Sequence, residues 1–169
     1  MPGTPTTTGS VTPVEKDKKE DFMCFGFTIQ NAVTYISDCS KIPDEILADL
    51  QSSPIPVLVL DCLRLKPHLS HLSLAQAVDY SRQLKAQRTY LLGFSHEVSH
   101  EEYETMLKAV GGGRVPPNEM TEMVKAGLET LDLTGEKIWI RPAFDGLQVY
   151  VSQEGKARDT AYYDYPDGF

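Results

Sequence analysis

Polar and apolar positions alternate along this chain with two different periods. Val33-Thr-Tyr-Ile36, Val57-Leu-Val-Leu60 and Tyr90-Leu-Leu92 are short runs rich in β-formers, each followed closely by a polar residue able to do chemistry. Between them the spacing is helical. Leu74, Ala77, Val78, Ser81 and Leu84 fall on one helix face, and Ile46, Leu47 and Leu50 on another. Apolar runs alternating with helices predict an α/β fold of parallel strands joined by right-handed crossovers. Ligands in such sheets bind beyond the carboxyl ends of the strands. Asp38, His71 and His96, each following one of the three runs, are therefore expected on one rim.

Local signals fill in the remaining elements. Cys24–Ile29 and Ala32–Ile36 flank Gln30-Asn31, a candidate two-residue hairpin, because Asn tolerates positive φ. Ser40 can cap a helix from Ile42 to Leu50 with Pro43 in its first turn. Ser73 opens the second helix. Ser99 and Glu102 have the spacing of a capping box, starting a helix that ends near Val110 before three glycines. Asn118–Leu131 predicts a further helix inside an inserted excursion over residues 111–136. Lys137–Ile140 and Leu147–Val151 alternate like strands, and Asp145-Gly146 between them is the strongest hairpin signal in the chain. Residues 1–20, polar and rich in Thr, Pro and charge, are expected to be disordered. Residues 21–151 form the folded unit, and 152–169 a loose tail.

Composition narrows the function classes. The 169 residues suit one domain with a real core. A net charge of −8 argues against nucleic acid or an anionic membrane as principal partner. No apolar run approaches a membrane span, and Met1–Pro13 lacks the basic start and apolar stretch of a secretory signal, so a cytoplasmic location is expected. Cys24, Cys39 and Cys62 are odd in number with no Cys-x-x-Cys pair, which favours reduced thiols over a disulfide framework.

The candidate chemistry is concentrated in few residues. His68, His71, His96 and His100 are all the histidines, and each follows a strand end. His96-Glu-Val-Ser-His100 spells the zinc-peptidase pattern, but that chemistry needs both histidines on one face of a continuous helix. Ser99 as N-cap leaves His96 outside the helix and His100 at its first position, so the match is read as accidental. Asp38 is either a metal ligand or a turn residue; Asp61 has the same two readings, the structural one being favoured. Ser95 lacks a nucleophile elbow, and Gly111–Gly113 end a helix instead of opening one, so neither marks acyl transfer or phosphate binding.

These residues resemble the metallo-β-lactamase superfamily, nearest to the branch holding the cyclic phosphodiesterase of bacterial phosphonate breakdown and its eukaryotic relatives. The matching pieces are Pro13-Val-Glu15, Cys24-Phe-Gly-Phe27, Tyr35–Pro43, Val57–Arg64, His68–Leu74, Gly93-Phe-Ser-His96 and Ala143–Leu147, in family order. They correspond to the C-terminal half of the αββα fold, a mixed sheet with crossover helices. By this resemblance Asp38 is the carboxylate bridging two divalent ions, Mn or Zn. His71 is the general acid that protonates a leaving alcohol, and the substrate is a small phosphodiester.

The departures from the family pattern are as specific. Its principal motif, His-x-His-x-Asp-His, belongs to the first half of the fold, before the part this chain matches. Lys16 and Gly93 stand where ligand histidines are expected, and His96 matches a second histidine near the last of these and is the candidate replacement ligand. Of the family's metal ligands only Asp38 is securely kept. Two readings follow: a metal-dependent phosphodiesterase in truncated and inactive form, holding no metal of its own, or a non-catalytic module. In the second, a sheet face left bare by the missing half docks on a partner or on a second copy.

Overall fold

The computed structural model describes residues 23–162. The N-terminal segment expected to be disordered, with Lys16 in it, lies outside the described residues, as does the end of the expected tail from residue 163 on. Five strands form one mixed sheet in the order β1 (Gly26–Ile29), β2 (Val33–Ile36), β3 (Val57–Asp61), β4 (Arg88–Leu92) and β5 (Ile140–Pro142). β1 is antiparallel to β2, and β2 through β5 run parallel. The β1–β2 turn forms at the predicted Gln30-Asn31, both at positive φ (51° and 53°), closed by the Ala32 N–H donating to the Ile29 carbonyl at 2.9 Å.

The helices cover one face. α2 (Leu74–Leu84) buries Leu74, Ala77, Val78, Ser81 and Leu84, the face its spacing predicts, and opens on a Ser73–Gln76 capping box. α3 (His100–Val110) opens on the predicted Ser99–Glu102 box. Between α3 and β5, a short turn of 3-10 helix over Pro117–Glu119 precedes α4 (Glu122–Thr130). α4 brings Val124 into the common core with Leu58, Leu60, Leu91 and Met106. It approaches α3 so closely that a Cβ on Gly127 would stand 2.0 Å from the Met106 sulfur.

Three expectations are corrected. α1 (Asp44–Gln51) starts two residues later than predicted, with Pro43 at its N-cap and no side-chain cap, so Ser40 does not cap it. Ile46, expected on the apolar face, is 51% exposed, while Leu47 and Leu50 do pack against the core. The Asp145-Gly146 turn is present, Leu147 N–H donating to the Phe144 carbonyl, but it does not join paired strands. β5 adds to β4 in parallel, which seats Ile140 in the helix-side core, and the following strand β6 (Val149–Val151) pairs with β7 (Ala157–Asp159) instead.

β7 belongs to the segment expected to be loose. It folds because the β6–β7 hairpin covers the second face of the main sheet, where Val57, Tyr90, Trp139 and Tyr162 form a smaller core. Its fastening is polar: the fully buried Asp159 carboxylate accepts from Arg88 and from the Tyr90 hydroxyl, and from the N–H groups of Ala161 and Tyr162. The hairpin shelters only part of that face. At the β1 end, Phe25, Phe27 and Ile29 remain 78%, 57% and 55% exposed.

Candidate metal centre

The parallel strands β2, β3 and β4 end at one rim, and the loops that leave them build the site. Asp38 follows β2 in a left-handed conformation (φ 56°). That backbone is held from beneath, because the Asp38 N–H donates to Asp61 Oδ1 at 3.1 Å. Asp61 is the last residue of β3 and is 1% exposed. The 62–74 loop closes on itself: Leu63 N–H donates to the Leu72 carbonyl at 3.0 Å and Leu74 N–H to the Arg64 carbonyl at 2.9 Å. His71 is thereby returned to the strand end that the loop left.

Three groups meet there. His71 Nδ1 lies 3.0 Å from Asp61 Oδ1, and Asp61 Oδ2 accepts the Leu72 N–H at 2.8 Å. A carboxylate that already accepts two backbone N–H groups takes the ring proton as a third, so Nδ1 is the donor and Nε2 is left for a ligand or for proton transfer. Asp38, Asp61 and His71 each offer a ligand atom, all within 4.8 Å of one another. The Asp38 carboxylate is exposed, its Oδ2 accepting the Ser37 hydroxyl at 2.9 Å. Asp61 was expected to be structural. It is, and it also orients His71; the polar end of a buried parallel strand at the ligand-binding rim was the signal for that second role.

The other sequence candidates are not members of this group. His96 is exposed in the turn beyond β4 and is not a member of the three-residue group. His100 is the first residue of α3, so the two histidines of the peptidase pattern do not share a helix. Its Nε2 lies 3.2 Å from the Tyr162 hydroxyl, which donates to the Pro142 carbonyl. His68 stacks at a tilt on His71, ring centroids 5.5 Å apart. Gly93, by contrast, is at the centre: a Cβ there would stand 3.4 Å from Asp61 Oδ1. Cys39, next in sequence to Asp38, is buried. That burial and the neighbouring Cys24 push its thiol up to about 12, so it stays protonated and is no thiolate ligand at neutral pH.

A divalent ion can be tested against this donor set. Asp61 has both oxygens engaged, so its contribution is orientation. Asp38 has lone pairs free and His71 has Nε2. Among the described residues that is one carboxylate and one imidazole, fitting the edge of an oxygen- and nitrogen-ligated centre but not enough for two ions, each of which takes four or more ligands. Among the described residues no helix is long and apolar enough to cross a membrane.

Comparison with known proteins gives a family match over part of the chain. The family described as the beta-lactamase superfamily domain matches residues 2–94, which include the Asp38, Asp61, His71 and Gly93 positions. A crystal structure described as that of a new diphosphatase from the PhnP family shares 38% sequence identity, with a TM-score of 0.40. The match covers 43% of this chain and only 28% of that one. No curated protein matches. With its mixed sheet, one-sided helix layer and rim site, and with more than half its length matched, the chain belongs to the beta-lactamase superfamily.

Proposed function

We propose that this chain carries the leaving-group side of a metal-dependent hydrolase site acting on small phosphodiesters, and that its 169 residues alone neither retain stoichiometric metal nor turn over. The observation that carries this reading is the meeting of Asp38, Asp61 and His71 at the carboxyl rim. Asp38, with its free lone pairs, would hold the ion, Mn or Zn by its oxygen and nitrogen donors. Bound divalent ions supply such sites with an activated water and with charge stabilisation of phosphoryl oxygens. What the chain itself does is position a proton. Asp61 fixes the His71 ring through Nδ1, leaving Nε2 to protonate a departing alkoxide. The inactivity rests on ligand count: Gly93 offers no side chain at a position adjoining the site, and His96 stands outside it.

Elemental analysis of the purified protein, zinc and manganese titrations, and assay on an activated aryl phosphodiester test this together. The expected result is little metal on purification, weak binding in excess zinc that Asp38→Ala abolishes, and no turnover. Near-stoichiometric metal with turnover lost in Asp38→Ala would overturn the inactivity. Zinc binding unaffected by Asp38→Ala would overturn the site.

A second reading has its own observation. β1 is the outer strand of the sheet among the described residues, and its Phe27 and Ile29, with Phe25 just before it, are exposed apolar side chains. An edge strand with apolar side chains invites pairing. The occupant that fits is a second copy, two β1 edges joining antiparallel about a two-fold axis. In this reading the chain is a dimeric interaction module. Sedimentation equilibrium should then give a dimer that Phe27→Lys dissociates. A monomer at all accessible concentrations would end it.

A further inference from the structure

Two of the three cysteines are brought together by the geometry that shapes the rim. Along the β1–β2 ladder Gly26 pairs with Ile36, so Cys24, two residues before Gly26, falls opposite Asp38. Alternation places Cys24 on the face of Gly26 and Thr28, whose partners Ile36 and Thr34 are buried beneath the helices. Continued alternation would send Cys39 to the other face. The left-handed Asp38 interrupts it and turns Cys39 inward, so both sulfurs enter the same core cluster. The two thiols lie within hydrogen-bonding reach of one another. Both are free thiols, Cys24 partly exposed and Cys39 buried, whereas Cys62 is sealed in the core beneath β3.

We propose that Cys24 and Cys39 are a reversible dithiol–disulfide pair, oxidised by small-molecule disulfides of the glutathione class. The partly exposed Cys24 attacks first. Its thiolate displaces one glutathione thiolate from the oxidant and leaves a mixed disulfide on Cys24. The Cys39 sulfur then attacks the Cys24 sulfur and forms the Cys24–Cys39 bond, its proton passing to the second glutathione thiolate as that is expelled. Two protein thiols lose two protons and two electrons in total, and one glutathione disulfide becomes two glutathiones. The second step, from the buried sulfur, is the slower. Its product staples the strand leading into β1 to the turn that presents Asp38. The bond forms whether or not a metal is held at the rim.

The experiment incubates the full chain with excess glutathione disulfide, then alkylates in denaturant and measures intact mass and peptide maps. The expected result is a species two hydrogens lighter than the singly alkylated chain, with Cys62 the one alkylated cysteine and a peptide joining Cys24 to Cys39, reversed by dithiothreitol. Cys39→Ser should stop at the mixed disulfide on Cys24. Cys24→Ala, which leaves the buried sulfur in place, should remain unmodified at Cys39 under the same conditions. A wild-type chain that keeps three alkylatable thiols, accumulates only the mixed disulfide, or crosslinks between chains would overturn the pair.

Discussion

Gly93 holds the key to how little this site needs to become a better one. It sits at φ 85° directly against Asp61, at a position where the resemblance calls for a ligand histidine. A side chain there carries the strain of a left-handed backbone, about 1–2 kcal/mol, although histidine is among the residues that tolerate it best. Gly93→His is therefore expected to lower the melting temperature modestly while tightening zinc binding about 10-fold or more, the low end of what changes around metal ligands produce. Calorimetric titration would measure it. Gly93→Ala, with similar strain and no imidazole, should show the stability loss alone. Asp38 and His71 were legible in the sequence because each follows an apolar run that reads as a strand. The end of a buried strand marked Asp61 as a rim residue, but its bond to His71 depends on the 62–74 loop closing back on the strand end it left, which the sequence spacing alone does not specify. His96 also follows a strand end, in the turn beyond β4, but it is not one of the three grouped residues: sequence proximity to a strand end does not specify which way the loop turns.

Among the elements, α3 and α4 share one polar joint. Glu102 accepts from the Ser99 N–H at 3.0 Å and from the Thr121 hydroxyl, and Thr121 is itself the N-cap of α4. The Thr121 hydroxyl first, then the Ser99 N–H, hold the Glu102 carboxyl below its ordinary range. A depressed folded-state pKa means that the stabilisation is fully present above the unfolded value, near 4.3, and is lost as pH falls through the folded one. Glu102→Gln should accordingly flatten the acid side of the melting-temperature profile between about pH 5 and pH 3. Ser99→Ala should cost about 1 kcal/mol near neutrality, measured by urea unfolding. The Ser99–Glu102 capping box and the buried face of α2 were readable beforehand because they rest on side chains three or four residues apart. The partner of β6 was not. Asp145-Gly146 specifies a turn but not what lies on either side of it, and the pairing went to β7 because β5 gained more by extending the parallel sheet over the helix-side core.

At the scale of the whole molecule, the sheet has one complete face and one divided face. The helix layer closes the first, and the β6–β7 side closes the second from Val33 of β2 across to β5, while among the described residues Phe27 and Ile29 of β1 stay exposed. The hairpin is secured at a single buried carboxylate. Asp159→Asn leaves Arg88, half-sandwiched over Trp139 with its guanidinium 4.4 Å from the ring, without its counter-charge. Breaking such a buried pair costs about 3–5 kcal/mol. Hydrogen exchange should then show deprotection confined to residues around β6 and β7 and to the Trp139–Tyr162 core, with α2 and α3 unchanged. Equal deprotection everywhere would mean that the hairpin and the main sheet unfold as one.

The Asp61 carboxylate, finally, makes the rim observable from outside it. It is buried, yet two of its hydrogen-bond donors are backbone amides, those of Asp38 and Leu72, in two different loops. Those two amide resonances are a built-in pair of spectroscopic probes. An ion arriving at the Asp38 carboxylate, or the loss of the His71 ring, changes the charge felt along both N–H bonds and shifts both signals together. A perturbation confined to either loop moves only one. Two cross-peaks in a routine nitrogen–proton spectrum thus separate an event at the site from an event near it.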